Sequence, residues 1–200
     1  MTSASSFKRG DSIAIDADLK ISFPEVVVEA LENGIPLTIA VDVQVLRERK
    51  WWRNVIIKES TQLFELRYHP LTNVHEIKNI ASDDRYTFNS RQDAMAVLGT
   101  IRGAYLIEQK DLSKNHHYLV QMRLLLDISR LPPALRQIAS LSPDWRLESA
   151  WYRWDIRQQN KRQVGPAIDN ENIAISPNWA QTLDKIFQQL TNKPTQESAK

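Results

Sequence analysis

Strict alternation of apolar and polar side chains constrains this chain more than any other feature. Ile13, Ile15, Ala17, Leu19, Ile21 and Phe23 take every second place between Asp11 and Phe23, with Asp16, Asp18, Lys20 and Ser22 among the residues between them. A period of two sends successive side chains to opposite faces, so the segment reads as a half-buried strand. The pattern returns at Leu37, Ile39, Val41, Val43 and Val45, at Phe64, Leu66 and Tyr68, and at Tyr118, Val120, Met122, Leu124 and Leu126. Weaker strands are expected over 74–79 and 103–109. A bulged one is expected over 145–156, where Trp145 and Leu147 have one parity and Trp154 and Ile156 the other.

Only short helices interrupt these strands. Pro24 opens one with Val27, Ala30 and Leu31 on its inner face, and Asn33-Gly34 ends it. Ser90 caps a second, with Asp93 as its partner, Ala94, Val97 and Leu98 inward and Gly99 at its close. No regular strand–helix–strand rhythm appears, which argues against a parallel doubly wound sheet. The expected fold is mainly β (α+β): an antiparallel β-sandwich or partly open barrel of about six or seven strands, with short helices at its ends.

The expected organisation is a flexible lead-in over 1–10 and a single β-rich domain over 11–156. A linker follows over 157–175, then a C-terminal amphipathic helix over 176–191 and a disordered tail over 192–200. That helix has Ser176 and Pro177 at its start and carries Trp179, Leu183, Ile186, Phe187 and Leu190 on one face. A chain of 200 residues buries enough surface to fold without staples.

Composition removes several function classes. The net charge is +2, from 26 basic and 24 acidic residues, too even for a dedicated nucleic-acid binder, and none is expected. With no cysteine, disulfides, thiolate metal sites and cysteine nucleophiles are out of reach. His75-Glu76 has no second histidine at helical spacing, and His116 and His117 are neighbours on an expected strand, so their rings diverge. The sequence holds no nucleophile elbow, phosphate loop or dinucleotide fingerprint. No metal, no cofactor and no catalytic residue is therefore expected. No apolar run reaches the roughly 18 residues of a membrane-spanning helix.

The most unusual stretch is Arg47-Glu48-Arg49-Lys50-Trp51-Trp52-Arg53 at the end of the second strong strand. Guanidinium groups clamp phosphate or carboxylate, and indoles stack on rings or sit at lipid interfaces. The structural alternative puts one tryptophan in the core and the other under arginine stems. Trp145, Trp151, Tyr152 and Trp154 form a second concentration, interleaved with Arg146, Arg153 and Arg157. That pattern suits cation–π packing on a sheet face or a ligand groove. Arg123, Asp127 and Arg130 are close enough for a solvated ion pair on one face. The binding candidates are Arg47, Arg49, Trp51, Trp52, Arg53, His69, Arg123, Asp127, Trp151 and Trp154.

Several collinear pieces resemble a bacterial family known as DUF4390, a domain of unknown function. They are Ala30-Leu31-Glu32-Asn33-Gly34-Ile35-Pro36-Leu37, Arg49-x-Trp51-Trp52, and Leu66-Arg67-Tyr68-His69-Pro70-Leu71-Thr72. Further on come Leu124-x-Leu126-Asp127-x-Ser129-x-Leu131-Pro132 and Trp145-x-Leu147-x-Ser149-x-Trp151-x-x-Trp154. The resemblance covers about residues 11–156. It implies a small envelope protein of a kind that begins with a secretory signal, with genes that often lie beside membrane histidine kinases. No catalytic residues come with it.

The expected function is a non-enzymatic binding or accessory protein of the bacterial cell envelope, with a protein partner there such as a membrane sensor kinase. Two alternatives stand beside it. One is a carrier of a small apolar or lipid-like ligand within the sandwich. The other is a binder of anionic lipid or nucleic acid through Arg47–Arg53. The expected location is periplasmic if a signal was removed and cytoplasmic otherwise.

Overall fold

A computed structural model of the protein describes residues 3–157. In chain order its elements are β1 (Ser3–Arg9), β2 (Ser12–Asp18), α1 (Glu25–Glu32), β3 (Leu37–Arg47), β4 (Val55–His69) and β5 (Val74–Asn79). They continue with β6 (Arg85–Phe88), α2 (Arg91–Leu98), β7 (Thr100–Glu108), β8 (Tyr118–Leu126), α3 (Pro133–Leu141) and β9 (Tyr152–Asp155). The strands form a sheet of three, in order β1-β2-β7, and a sheet of six, in order β6-β5-β4-β3-β8-β9. Every pairing is antiparallel. The architecture is sandwich-like and mainly β, and among the described residues the strands do not close into a barrel.

The alternation dictates the layering. On β3 the odd-numbered residues Leu37, Ile39, Val41 and Val45 are buried, and on β8 Tyr118, Val120, Met122 and Leu126 share that face, with Ile39 opposite Leu126 and Val45 opposite Val120. This inner face of the large sheet serves two cores. Val41, Val45, Val120, Met122 and Trp154 meet Ile13, Ile15, Ala17, Ile101 and Leu106 of the small sheet. Leu37, Ile39, Leu66, Ile77 and Leu126 lie beneath Val27, Leu31, Ala94, Leu98 and Ala139 of the three helices. Half of the sheet is thus roofed by strands and half by helices.

The flexible lead-in expected over 1–10 is corrected: Ser3–Arg9 is a full edge strand, paired residue by residue with β2. Its small polar side chains hid it, because it is held by backbone hydrogen bonds and buries only Ala4 and Ser6. The strand expected from Asp11 to Phe23 stops at Asp18. There the Leu19 N–H donates to the Gly99 carbonyl at 2.7 Å, turning the chain toward α2. A Cβ at Gly99 would lie 2.2 Å from the Leu19 carbonyl oxygen, so only glycine admits this approach. Leu19, Ile21 and Phe23 still pack against the cores without belonging to a strand.

The bulged strand expected over 145–156 is also corrected. Trp145 sits in a 3-10 turn, Glu148 makes a single bridge to Leu125, and only Tyr152–Asp155 is a strand. The two parities belong to two separate visits to the sheet. α2 starts as the sequence implies, with Ser90 Oγ accepting from the Asp93 N–H at 3.1 Å. The linker read over 157–175 lies, but for Arg157, outside the described residues, and so do the helix over 176–191 and the tail over 192–200.

Candidate functional site

The β3–β4 connection is where the cation-and-tryptophan stretch sits. β3 ends at Arg47 and β4 begins at Val55, with a register shift between Val45 and Leu46 shortly before the loop. Between them the loop is tied at two points. The Glu48 N–H donates to the His117 carbonyl at 2.9 Å, and the Arg49 N–H to Asn54 Oδ1 at 3.4 Å. Trp51 and Trp52 expose 90% and 80% of their surface, and Ile56 at the start of β4 exposes 50%. The reading that put one of the two in the core is overturned, because both lie beyond the last β3–β4 pair, past the edge of either core.

Among the described residues, no ion pair involves Arg47, Arg49, Lys50 or Arg53. The acid of the loop is held elsewhere. Glu48 lies 2.9 Å from His117 Nδ1, and His117 Nε2 lies 2.7 Å from Asp155. One imidazole therefore joins the end of β3, the start of β8 and the end of β9. It also takes two carboxylates away from the neighbouring cations. A cleft of about 420 Å³ runs between Arg47–Lys50 and the loop Asn115-His116-His117.

Five of the sequence candidates, Arg47, Arg49, Trp51, Trp52 and Arg53, are gathered here, and the other five are not. Trp154 is a core residue, 5% exposed, with its indole N–H donating to Ser6 Oγ at 2.8 Å. Arg123 and Trp151 lie on the outer face of the large sheet, the guanidinium stacked 4.6 Å from the indole centroid. Arg123 binds Asp42 at 2.9 Å and also bonds Glu148. The expected pairing of Arg123 with Asp127 is replaced by an Asp127–Arg130 contact at 3.3 Å, since Asp127 has left the strand to cap a 3-10 turn. His69 lies at the far end of β4, 3.6 Å from Glu76. The outer face is a polar lattice: Glu59 bonds Gln44, Gln44 bonds Gln121, and Gln121 bonds Arg153. The cation on Trp151 is thus Arg123 and not one of the interleaved arginines, of which Arg153 makes a side-chain hydrogen bond to Gln121.

Sequence reasoning missed His117, Glu48, Asp155 and Lys114 at this end. Lys114-Asn115-His116-His117, a polar run just before a strong strand, was the available signal. Among the described residues no group of three His, Cys, Asp or Glu side chains is arranged to hold a metal ion. A family model described as Domain of unknown function (DUF4390) matches residues 1–155. Comparison with curated proteins finds no match, and comparison with solved structures finds none.

Proposed function

We propose that this chain, which belongs to the DUF4390 family, is a non-enzymatic binding module of the bacterial cell envelope that meets an acidic partner through its β3–β4 tip. One observation carries the reading: Trp51 and Trp52, 90% and 80% exposed, stand in a loop with cations that no carboxylate neutralises among the described residues. Exposed tryptophan next to arginine is the composition of binding hot spots, where a partner desolvates the indole and pairs the guanidinium. A loop pinned by His117 and Asn54 also loses less freedom on binding than a slack one. The rest of the sheet supplies a scaffold.

The test is capture from solubilised envelopes by the full chain against the triple variant Arg47→Ala, Arg49→Ala, Trp52→Ala. Capture of the same partner should fall to background while the melting temperature stays within a few degrees, because none of the three is buried. Equal capture removes the tip from consideration. A second reading rests on the same pair of tryptophans, since adjacent indoles flanked by cations also suit the interface of an anionic bilayer. Flotation with phosphatidylglycerol vesicles, lost at high salt and absent with phosphatidylcholine, would favour lipid as the acidic partner.

A further inference from the structure

A second recess opens at the same end of the sandwich, on the other side of the 109–117 connection. Its volume is about 370 Å³, within the roughly 300–1,000 Å³ of small-molecule sites. Phe7, Ile13, Leu112, Tyr118 and Ile156 give it an apolar wall reaching between the two sheets. Ile13, Tyr118 and Ile156 are core residues, 7%, 4% and 4% exposed, so the recess enters the sheet-on-sheet core. Three exposed cations, Lys8, Lys114 and Arg157, line it as well, and among the described residues no carboxylate does. None of these three side chains has an ion-pair partner among the described residues. The Tyr118 hydroxyl accepts the Ser113 N–H at 3.1 Å, which leaves its own proton available to an acceptor.

We infer that this recess binds a single-chain anionic amphiphile. The chain lies against Phe7, Ile13, Leu112 and Ile156, and the carboxylate or phosphate head meets Lys8, Lys114 and Arg157. Charge complementarity selects this occupant. A neutral apolar molecule would leave three cations around it unused, and a cationic one would be repelled by them. Ile13 and Ile156 also lie too deep for a purely ionic ligand to make use of them.

The experiment is isothermal titration of the full chain with dodecanoate, dodecyl phosphate, dodecanol and dodecyltrimethylammonium, the ionic three below their micellar concentrations and dodecanol below its solubility limit. Dodecanoate and dodecyl phosphate should saturate one site, dodecanol should bind more weakly, and the quaternary amine should not bind. The triple variant Lys8→Glu, Lys114→Glu, Arg157→Glu changes exposed side chains only. It should weaken dodecanoate about tenfold, or about 1.4 kcal/mol, and leave dodecanol unchanged. Replacing Trp51 and Trp52 by alanine should alter neither, which separates this site from the tip. A short two-chain phosphatidylglycerol should bind more weakly than dodecanoate. The inference is overturned by absent dodecanoate binding, by an unchanged affinity in the charge-reversed variant, by loss of binding in the Trp51/Trp52 variant, or by tighter two-chain binding.

Discussion

At one end of the large sheet Trp145 packs beside α1 and α3 with 2% of its surface exposed, while at the other Trp51 and Trp52 expose 90% and 80%. Most charges divide the same way, the exception being Arg146, exposed beside Trp145 and without an ion-pair partner among the described residues. At the helix-roofed end Arg91 is bonded to Glu32 at 2.7 Å, Asp127 to Arg130 at 3.3 Å, and Arg136 donates to the Leu131 carbonyl at 3.0 Å. At the open end Arg47, Arg49, Lys50, Arg53, Lys8, Lys114 and Arg157 stand without ion-pair partners among the described residues. Exposed apolar side chains occur at the helical end too, as Ile138 and Leu141 on α3, but the one cation of that helix, Arg136, is already bonded to backbone. One end is built to be stable by itself, and the other keeps indole and guanidinium groups available.

The comparison breaks most easily on tryptophan. Trp145→Ala should destabilise the protein by about 3–5 kcal/mol, from lost burial and the cavity left among Leu31, Leu131 and Ala139. Trp52→Ala should change stability by less than about 0.5 kcal/mol, because it removes no buried contact. Urea unfolding of both variants measures the difference. Similar losses would mean that the tip packs against something in solution. Trp154→Phe falls between them, at about 1–2 kcal/mol. It removes a ring and leaves the buried Ser6 hydroxyl without its donor. Trp154 is the rib that joins the large sheet to β1. Its loss should therefore speed hydrogen exchange in Ser3–Arg9 before it does so in α1.

Much of this division is legible in the sequence alone. Alternation on β3 and β8 named the core-facing parity correctly, though Thr38, Asp42 and Gln44 on the opposite face of β3 are buried as well; Ser90, Gly99 and the Val27-Ala30-Leu31 face marked two helices, because these signals are local. β1 was hidden because an edge strand of serine and alanine owes its place to the backbone of β2. β4 is legible only from Phe64 onward because Lys58, Glu59, Ser60, Thr61 and Gln62 break the apolar pattern. Lys58 has its ammonium 4.6 Å from the Tyr105 ring centroid, a tertiary contact that no spacing rule foretells. Of the binding candidates, those adjacent in sequence stayed together and those linked by parity dispersed. His117 joins Glu48 and Asp155 across three strands. That arrangement becomes visible only when β3, β8 and β9 are laid side by side.

The smallest effect expected of the comparison is in acid. His75 lies at the helix-roofed end, 8% exposed and tilted against Tyr68 with ring centroids 4.8 Å apart. Its Nδ1 has no hydrogen-bond partner among the described residues. Burial pushes its pKa below the usual imidazole value, the charge of Arg91 pushes the same way, and Glu32 opposes them. A histidine with a depressed folded-state pKa binds fewer protons than the unfolded chain between the two values. Its contribution is therefore complete above about pH 6.5 and fades as the pH falls through the lower, folded value. The melting temperature should drop between pH 7 and pH 5 partly for this reason. His75→Phe keeps the ring against Tyr68 and cannot take a proton, so its melting temperature should fall less over the same interval. Carboxylates common to both proteins cancel in that difference. Equal slopes would mean that His75 titrates as freely as an exposed histidine, and the helical end would then be less closed than its buried side chains imply.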